Sequence, residues 1–299
     1  MVPIIFTVAM LLVLPLIFIG TLWKVKFKTR LEWLLDALTT VFFIVWVFQS
    51  GAWSWIGYYF RFLLLALLIV ALVFSWKKAR RLPFIMKYSN NQKFTLGVHG
   101  FLLLIFGAYN AFVFTSYSTK DTTLMVDFPL HEGTYYIGQG GNHVQMNYHQ
   151  AYEPQQYALD ILALNSVGTR AKGLYPKALQ KYEIFGHPIY SPCGGTVIGM
   201  ENGLIDSIPP EADPKNATGN YVALTCDIAK DTVIYLAHMQ EGSVAVQEGV
   251  HVEAGQLLGK VGNTGNTSEP HLHIHAEKNG IGVPLKFHNR FLVRNSLVR

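Results

Sequence analysis

Apolar residues are concentrated before position 116, where they form four runs separated by short polar or basic segments. A helix needs about 20 mostly apolar residues to cross the hydrocarbon core of a bilayer. The runs that approach this length lie at roughly 3–22, 34–49, 55–76 and 95–115. The second run is short and carries Asp36, so its assignment has the least support. We expect residues 1–116 to form a region of four transmembrane α-helices.

Basic residues between the runs predict the orientation of these helices. The segments KVKFKTR (24–30) and KKARRLPFIMKYSNNQK (77–93) are rich in Lys and Arg, whereas the link SGAWS (50–54) has neither. Basic loops stay in the cytoplasm. The first run lacks the basic start of a signal peptide, so we interpret it as a retained span. The pattern predicts a multi-pass protein of the cell membrane whose residues after 116 are extracytoplasmic.

Charge and intramembrane polar residues narrow the function classes. The formal net charge is only +5, and much of the Lys and Arg excess lies beside the spans. We therefore predict no nucleic-acid binding. Arg61, His99 and Asn110 lie in or near the spans. Such residues can mark a transport path, but three scattered ones favour packing or snorkelling. A four-span transporter or sensor with an accessory outer domain is the weakest interpretation.

From about residue 120 the hydrophobic pattern changes to short β-rich runs between Gly, Pro, Asn and Asp. Strands are predicted at GGTVIGM (194–200), YVALTCDI (221–228) and TVIYLAHM (232–239). A helical pattern is present only around 170–182. We expect residues 117–299 to form a mainly antiparallel β domain outside the cytoplasm. Both cysteines, Cys193 and Cys226, lie in this part, and the sequence leaves open whether they form a disulfide.

Histidines alternate in the stretch EPHLHIHAEKNG (269–280), where His271, His273 and His275 occupy every second position. In a strand, residues i, i+2 and i+4 share one face, so the sequence predicts a row of imidazoles. A chance cluster on a solvated strand face is the alternative. The choice depends on which other ligand groups the chain supplies.

Glycines recur through the preceding segment, VQEGVHVEAGQLLGKVGNTGNTSEPHLHIH (246–275), at spacings typical of short β-turns. Biotinyl and lipoyl carrier domains use a similar frame of valines and glycines, but they present a modified lysine in an exposed hairpin. The segment here ends in histidines instead, which disfavours a carrier domain.

The segment resembles the lysostaphin-like (LytM-type) zinc metallopeptidases, which hydrolyse peptide bonds in peptidoglycan. Further matching pieces are YALDI (157–161), GGTV (194–197), GNYVALTC (219–226) and VIYLAHM (233–239). The likeness covers roughly residues 145–288. It implies a β domain of the lysostaphin-like peptidase type and a zinc ion held by a His, an Asp and the second His of His-x-His.

Carried over residue by residue, the resemblance implies that Asp160 and His273 are zinc ligands. It also implies that His238 and His271 are the catalytic histidines, which act on water and substrate. His275 stands where the family usually has Glu, and we assign it no role. The chain departs from the family at Gln156, where the remaining zinc ligand is normally a His.

We expect His149 to replace that missing ligand. If residues 146–161 form a hairpin that turns near 154–155, His149 lies opposite Asp160, with Cβ atoms about 4.5–5.5 Å apart. Both side chains then reach one zinc ion. A register slip of one residue would turn His149 away. His143 is a weaker substitute, and Asn147 or Tyr157 are candidates to hold the His149 ring.

Together these features predict a membrane-anchored zinc metalloendopeptidase that remodels peptidoglycan. Its partners would be the peptidoglycan peptide and the lipid bilayer, with a membrane or cell-wall protein as a further candidate because four spans exceed what an anchor requires. The alternative is a catalytically degenerate peptidase-like domain that binds the cell wall or acts as a scaffold. Gln156 supports this alternative, whereas the matched residues Asp160, His238, His271 and His273 support the enzyme.

Overall fold

The computed structural model describes residues 2–299. The chain divides into two compact units, one that ends at Phe114 and one that spans Thr115–Arg299. The first unit is helical and the second is mainly β.

The helical unit contains the long apolar helices that the hydrophobic runs predict. Its helices are α1 (Val2–Val8), α2 (Leu14–Lys24), α3 (Arg30–Ser50), α4 (Phe60–Ala79) and α5 (Asn90–Thr115). A π-helical turn, Ala9–Val13, joins α1 and α2, so that Ile4–Lys24 is one apolar stretch. Four helices of the described chain are long and apolar enough to cross a membrane. The prediction of four long apolar helices is confirmed, including the second one, which reaches 21 residues.

Local sequence explains where these helices begin. Thr29 caps α3 in a reciprocal arrangement, because its hydroxyl accepts from the Glu32 N–H while the Glu32 carboxylate accepts from the Thr29 N–H. Pro15 lies in the first turn of α2 and has no N–H to donate to the preceding turn of the continuous helix. The π-helical turn comes directly before it.

Polar side chains in the helical unit take part in packing. Asn110 Nδ2 donates to the carbonyl oxygens of Phe42 (2.8 Å) and Phe106 (2.7 Å). The Arg61 guanidinium lies 3.8 Å from the centre of the Phe48 ring. Both agree with the packing interpretation of these residues.

The second unit is built from fourteen strands. They are β1 (Leu124–Val126), β2 (Tyr135–Gln139), β3 (Leu159–Ala163), β4 (Pro188–Tyr190), β5 (Gly195–Glu201), β6 (Asn220–Cys226), β7 (Ala229–Met239), β8 (His251–Val252), β9 (Leu257–Lys260), β10 (Leu272–Lys278), β11 (Ile281–Val283), β12 (Leu285–Phe287), β13 (Arg290–Phe291) and β14 (Leu297–Val298). The predicted strands are present as β5, β6 and β7, and the predicted antiparallel β class is confirmed.

Nine strands form the main sheet, in the order β14-β2-β3-β10-β7-β6-β5-β8, with β11 paired to β10. All pairs in this sheet are antiparallel. Its buried side chains, such as Ile161, Leu236 and Ile274, belong to the hydrophobic core of the unit. The histidine-rich strand β10 therefore lies inside the sheet, between β3 and β7.

Two features of this unit resolve points that the sequence left unsettled. The helix suggested at 170–182 is wrong, because this part contains only a short 3₁₀ turn at Leu179–Lys181 and is interrupted at Gly173, whose φ is +112°. Cys193 and Cys226 form a disulfide, with Cα atoms 5.7 Å apart.

Candidate metal centre

The site is assembled on three adjacent strands of the main sheet. In the antiparallel register His273 of β10 lies directly opposite Asp160 of β3 and, on its other side, opposite Ala237 of β7. Directly opposed side chains share a face and lie close together. His273 Nδ1 is 3.0 Å from Asp160 Oδ1. Asp160 and His273 are therefore cross-strand neighbours on one face of the sheet.

A bulge in β7 brings His238 to the face of the sheet that carries Asp160 and His273. Pairing with β6 skips this residue, since Asn220 opposes Met239 and Tyr221 opposes Ala237. His238 has a φ of +62°, in the left-handed region that favours glycine. Ala237 and His273 share one face of the sheet, and strict alternation would place the His238 side chain on the other face. A bulge changes the direction of such a side chain. The His238 ring lies 4.8 Å from the His271 ring and 5.7 Å from the His273 ring.

His149 reaches the site as predicted, but by a different route. The predicted hairpin over 146–161 is wrong, because Tyr148–Ala151 forms a 3₁₀ turn and β3 pairs instead with β2 and β10. The turn buries His149 and places its Nε2 atom 3.0 Å from Asp160 Oδ1. Asn147 Oδ1 accepts from the backbone N–H of His149, which begins the turn. Tyr157 bonds to Asp121 and Thr119, so the prediction that Asn147 or Tyr157 holds the His149 ring is wrong.

The other candidates for the missing ligand lie elsewhere. Gln156 Nε2 donates to the carbonyl oxygen of Gly282 across 3.5 Å. His143 Nδ1 accepts from the backbone N–H of Gln145. His143 belongs to neither of the two His and Asp groups of described residues that could hold a metal ion.

Two overlapping groups of side chains could hold a metal ion. In one, ligand atoms of His149, Asp160 and His273 lie within 4.8 Å of one another; in the other, those of His238, His271 and His273 do. Imidazole and carboxylate are among the ligands that zinc takes in proteins. His271 Nε2 is buried without a hydrogen-bond partner and lies 3.5 Å from Asp160 Oδ1. Three nitrogen atoms thus converge on one carboxylate oxygen, an arrangement that fits a small cation.

Neighbouring charges oppose the effect of burial on the pKa values of Asp160 and His271, but add to it at His238. Burial alone would raise the pKa of Asp160, but His149 and His271 hold it well below the usual value for a carboxyl group. Burial and the neighbouring His271 and His273 lower the pKa of His238 well below the usual histidine value. Burial disfavours the charged form of His271, yet the Asp160 carboxylate raises its pKa. The site therefore combines an ionised carboxylate with imidazoles of different basicity.

Backbone carbonyls orient the two histidines outside the His149–Asp160–His273 group. His238 Nδ1 lies 2.9 Å from the carbonyl oxygen of Thr264, and His271 Nδ1 lies 2.9 Å from that of Glu269. A carbonyl accepts only, so each Nδ1 carries the proton and leaves Nε2 as a proton acceptor. Close packing explains why Gly219 begins the matched GNYVALTC piece. A Cβ at this position would collide with the Thr264 carbonyl.

His275 is a site residue that the sequence reasoning missed. Its Nδ1 atom lies 3.0 Å from His273 Nε2, and its ring stacks on Tyr235 at 4.8 Å with an interplanar angle of 9°. Burial, with His273 and His149 nearby, lowers the pKa of His275 to about 2. The ring is therefore neutral and can accept a hydrogen bond from His273. The alternation in β10 already placed His275 on the same side as His271 and His273.

Two further residues near Asp160 carried no recognisable sequence signal. The Tyr148 hydroxyl donates to Asp160 Oδ2 across 3.3 Å, and its pKa is raised chiefly by the Asp160 charge. Arg294, from the C-terminal end of the chain, donates to the carbonyl oxygen of Met146 and to Gln139 Oε1. Both depend on tertiary contacts between distant segments.

Comparison of the sequence with models of protein families identifies the domain that carries this site. Residues 181–284 match the model of peptidase family M23. The chain carries a family M23 peptidase domain. The resemblance to lysostaphin-like peptidases is thereby confirmed. The matched part of the M23 domain includes His238, His271 and His273, whereas His149 and Asp160 precede it.

Solved structures are similar to the M23 domain at low identity. A zinc-containing peptidase from Vibrio cholerae is 18% identical over 55% of this chain and 39% of its own, with a TM-score of 0.34. The catalytic domain of lysostaphin from Staphylococcus simulans is 22% identical over 42% of this chain and 84% of its own, with a TM-score of 0.25. A complex of SpoIIIAH and SpoIIQ is 13% identical over 53% of this chain and 95% of its own, with a TM-score of 0.34. The chain thus spans less than half of the Vibrio cholerae protein, and at these TM-scores the similarities carry no argument about activity.

Proposed function

We propose that this protein is a membrane-anchored zinc metalloendopeptidase that hydrolyses peptide bonds of peptidoglycan. The observation that carries the proposal is the convergence of His149, Asp160 and His273, with His238 and His271 beside them. A domain that only bound peptide would have no need for this buried set of ligand and proton-accepting groups. The M23 match supports the peptidase class.

In the proposed assignment, His149, Asp160 and His273 hold the zinc ion. Such an ion would polarise the carbonyl of the substrate peptide bond and lower the pKa of a bound water. Nε2 of either His238 or His271 accepts the proton of the attacking water, because Nδ1 of each is occupied by a backbone carbonyl. To donate to the oxyanion that develops on the substrate, the other imidazole must carry a second proton on Nε2.

The helical unit supplies the proposed location. The basic segments 24–30 and 77–93 favour a cytoplasmic position for the two loops that follow the first and third long helices. The M23 domain then lies outside the cytoplasm, where peptidoglycan is found and where the Cys193–Cys226 disulfide can persist.

The test separates metal binding from turnover in the full-length protein purified in detergent. Zinc content per chain and release of new amino groups from peptidoglycan are measured for the wild type and three variants. We expect His149→Ala to lose the zinc, whereas Gln156→Ala keeps it because Gln156 points to Gly282. His238→Asn tolerates the positive φ, so it should keep zinc while turnover falls about 10²–10⁴-fold.

Two outcomes contradict this proposal in different ways. A wild type that binds about one zinc ion but releases no amino groups would favour the wall-binding or scaffold alternative. A wild type that binds no zinc after dialysis against micromolar zinc would refute the ligand assignment itself.

A further inference from the structure

A cavity in the helical unit has no part in peptidase chemistry. Its volume is about 500 Å³, which is within the usual size range of small-molecule sites. Residues of α2, α3 and α5 and of the segment between α2 and α3 line it. All of these elements belong to the unit that ends at Phe114.

The walls of the cavity are amphipathic. One part is apolar and includes Ile17, Phe18 and Leu102. Another part is polar and includes Lys26, from the segment between α2 and α3, and Glu32 and Gln92, from the first turns of α3 and α5. A ligand that fills such a space needs both an apolar and a polar portion.

Asp36 supplies an unused hydrogen-bond acceptor in this cavity. Its residue is only 6% exposed, and Oδ2 is buried without a hydrogen-bond partner. Oδ1 faces His99 Nδ1 at 3.6 Å, which is too long for a hydrogen bond, and that nitrogen also lacks a hydrogen-bond partner. A buried carboxylate oxygen without a donor is costly. The arrangement therefore calls for a donor from outside the chain.

The second carboxylate at the cavity is already used. Glu32 Oε2 accepts from the backbone N–H groups of Lys28 and Thr29, and its Oε1 accepts from Gln92 Nε2. Asp36 is therefore the carboxylate of this cavity that lacks a hydrogen-bond donor. Two carboxylates at one cavity disfavour a head group with a net negative charge, while Lys26 can pair with the phosphate of a zwitterionic head group.

We propose that this cavity binds a lipid whose head group carries a primary ammonium, with Asp36 as the acceptor. The ammonium supplies both the positive charge and the N–H donors that Asp36 lacks. The apolar wall contacts the acyl chains. This site is independent of the proposed peptidase activity.

The experiment uses delipidated full-length protein in detergent. Native mass spectrometry measures the binding of phosphatidylethanolamine, of phosphatidylcholine, which has no ammonium N–H, and of phosphatidylglycerol. We expect phosphatidylethanolamine to bind at least about tenfold more tightly than either of the others. Free ethanolamine at millimolar concentration should not displace it, because the acyl chains contribute to binding.

Two charge-neutralising variants give a matched comparison. Asp36→Asn should remove the preference for phosphatidylethanolamine, whereas Glu32→Gln, which removes the same charge from the same cavity and can still cap α3, should keep it. Equal binding of the first two lipids, or loss of the preference in both variants, would overturn the proposal. Displacement by ethanolamine would show a soluble-amine site instead. If Asp36→Asn does not fold, the comparison of lipids on the wild type decides alone.

Discussion

His275 gives the sharpest prediction about the metal centre. For His273 Nδ1 to bind zinc as a neutral ligand, its proton must move to Nε2, which lies 3.0 Å from His275 Nδ1. Without metal the proton can instead remain on Nδ1 and be shared with Asp160 Oδ1. Loss of the His275 acceptor therefore penalises the metal-bound state more than the metal-free state.

The size of this penalty follows from burial. His273 and His275 are 4% and 5% exposed, so a replacement without an acceptor leaves the His273 N–H buried and unpartnered. Such a group costs about 1–3 kcal/mol. At about 1.4 kcal/mol per factor of ten, zinc should bind about 5–150-fold more weakly, a range that includes the usual effect of losing such a partner, about 10–100-fold.

The assay is a competition titration of zinc between a chromophoric chelator and the purified full-length protein. His275→Phe keeps a ring to stack on Tyr235 but removes the acceptor, and His275→Gln restores an acceptor. We expect weak binding in the first variant and partial recovery in the second. His251→Ala is the control, because that imidazole is half-exposed and pairs with Asp227. A folded His275→Phe variant that binds zinc within about twofold of the wild type would refute the reasoning.

Three further predictions concern stability and orientation, each measured on the full-length protein. Arg170→Met should cost about 3–5 kcal/mol in urea unfolding, because it leaves the mostly buried Glu269 without its ion pair; adding Glu269→Met should recover much of this. Replacing Cys193 and Cys226 by Ser should cost about 3–4 kcal/mol, given their separation of 33 residues, and an unchanged melting temperature would contradict this. Gly219→Ala should lower turnover by displacing the carbonyl that orients His238, a result that unchanged activity would exclude.

The sequence predicted those parts of the site that depend on local periodicity. Alternation placed His271, His273 and His275 on one face, and the antiparallel sheet then set His273 beside Asp160. Alternation could not predict the bulge at His238, because the pairing of β6 with β7 determines which residue of β7 is left unpaired.

His149 shows the limit of reasoning from strand register. The expected proximity to Asp160 is present, but a 3₁₀ turn produces it in place of the expected hairpin. Asn147, at the start of that turn, is a residue that favours such a cap locally, and its side chain accepts from the His149 N–H.

The lengths of the helices in the first unit were more predictable than their packing. Hydropathy over about 20 residues identifies helices that are long and apolar enough to cross a membrane, and four such helices are present in the described chain. The contact between Asp36 and His99 could not be predicted, because it depends on how α3 and α5 pack.

The backbone supports of the three proposed metal ligands differ, and this has a kinetic consequence. Asp160 and His273 lie in paired strands of the main sheet, so they separate only when that sheet opens. His149 lies in a single 3₁₀ turn, which a local fluctuation of much lower free energy can open. Metal exchange should therefore proceed through the His149 turn, with the ion held briefly by two ligands. The turn would set the residence time of the ion, while the sheet fixes the geometry in which it is held.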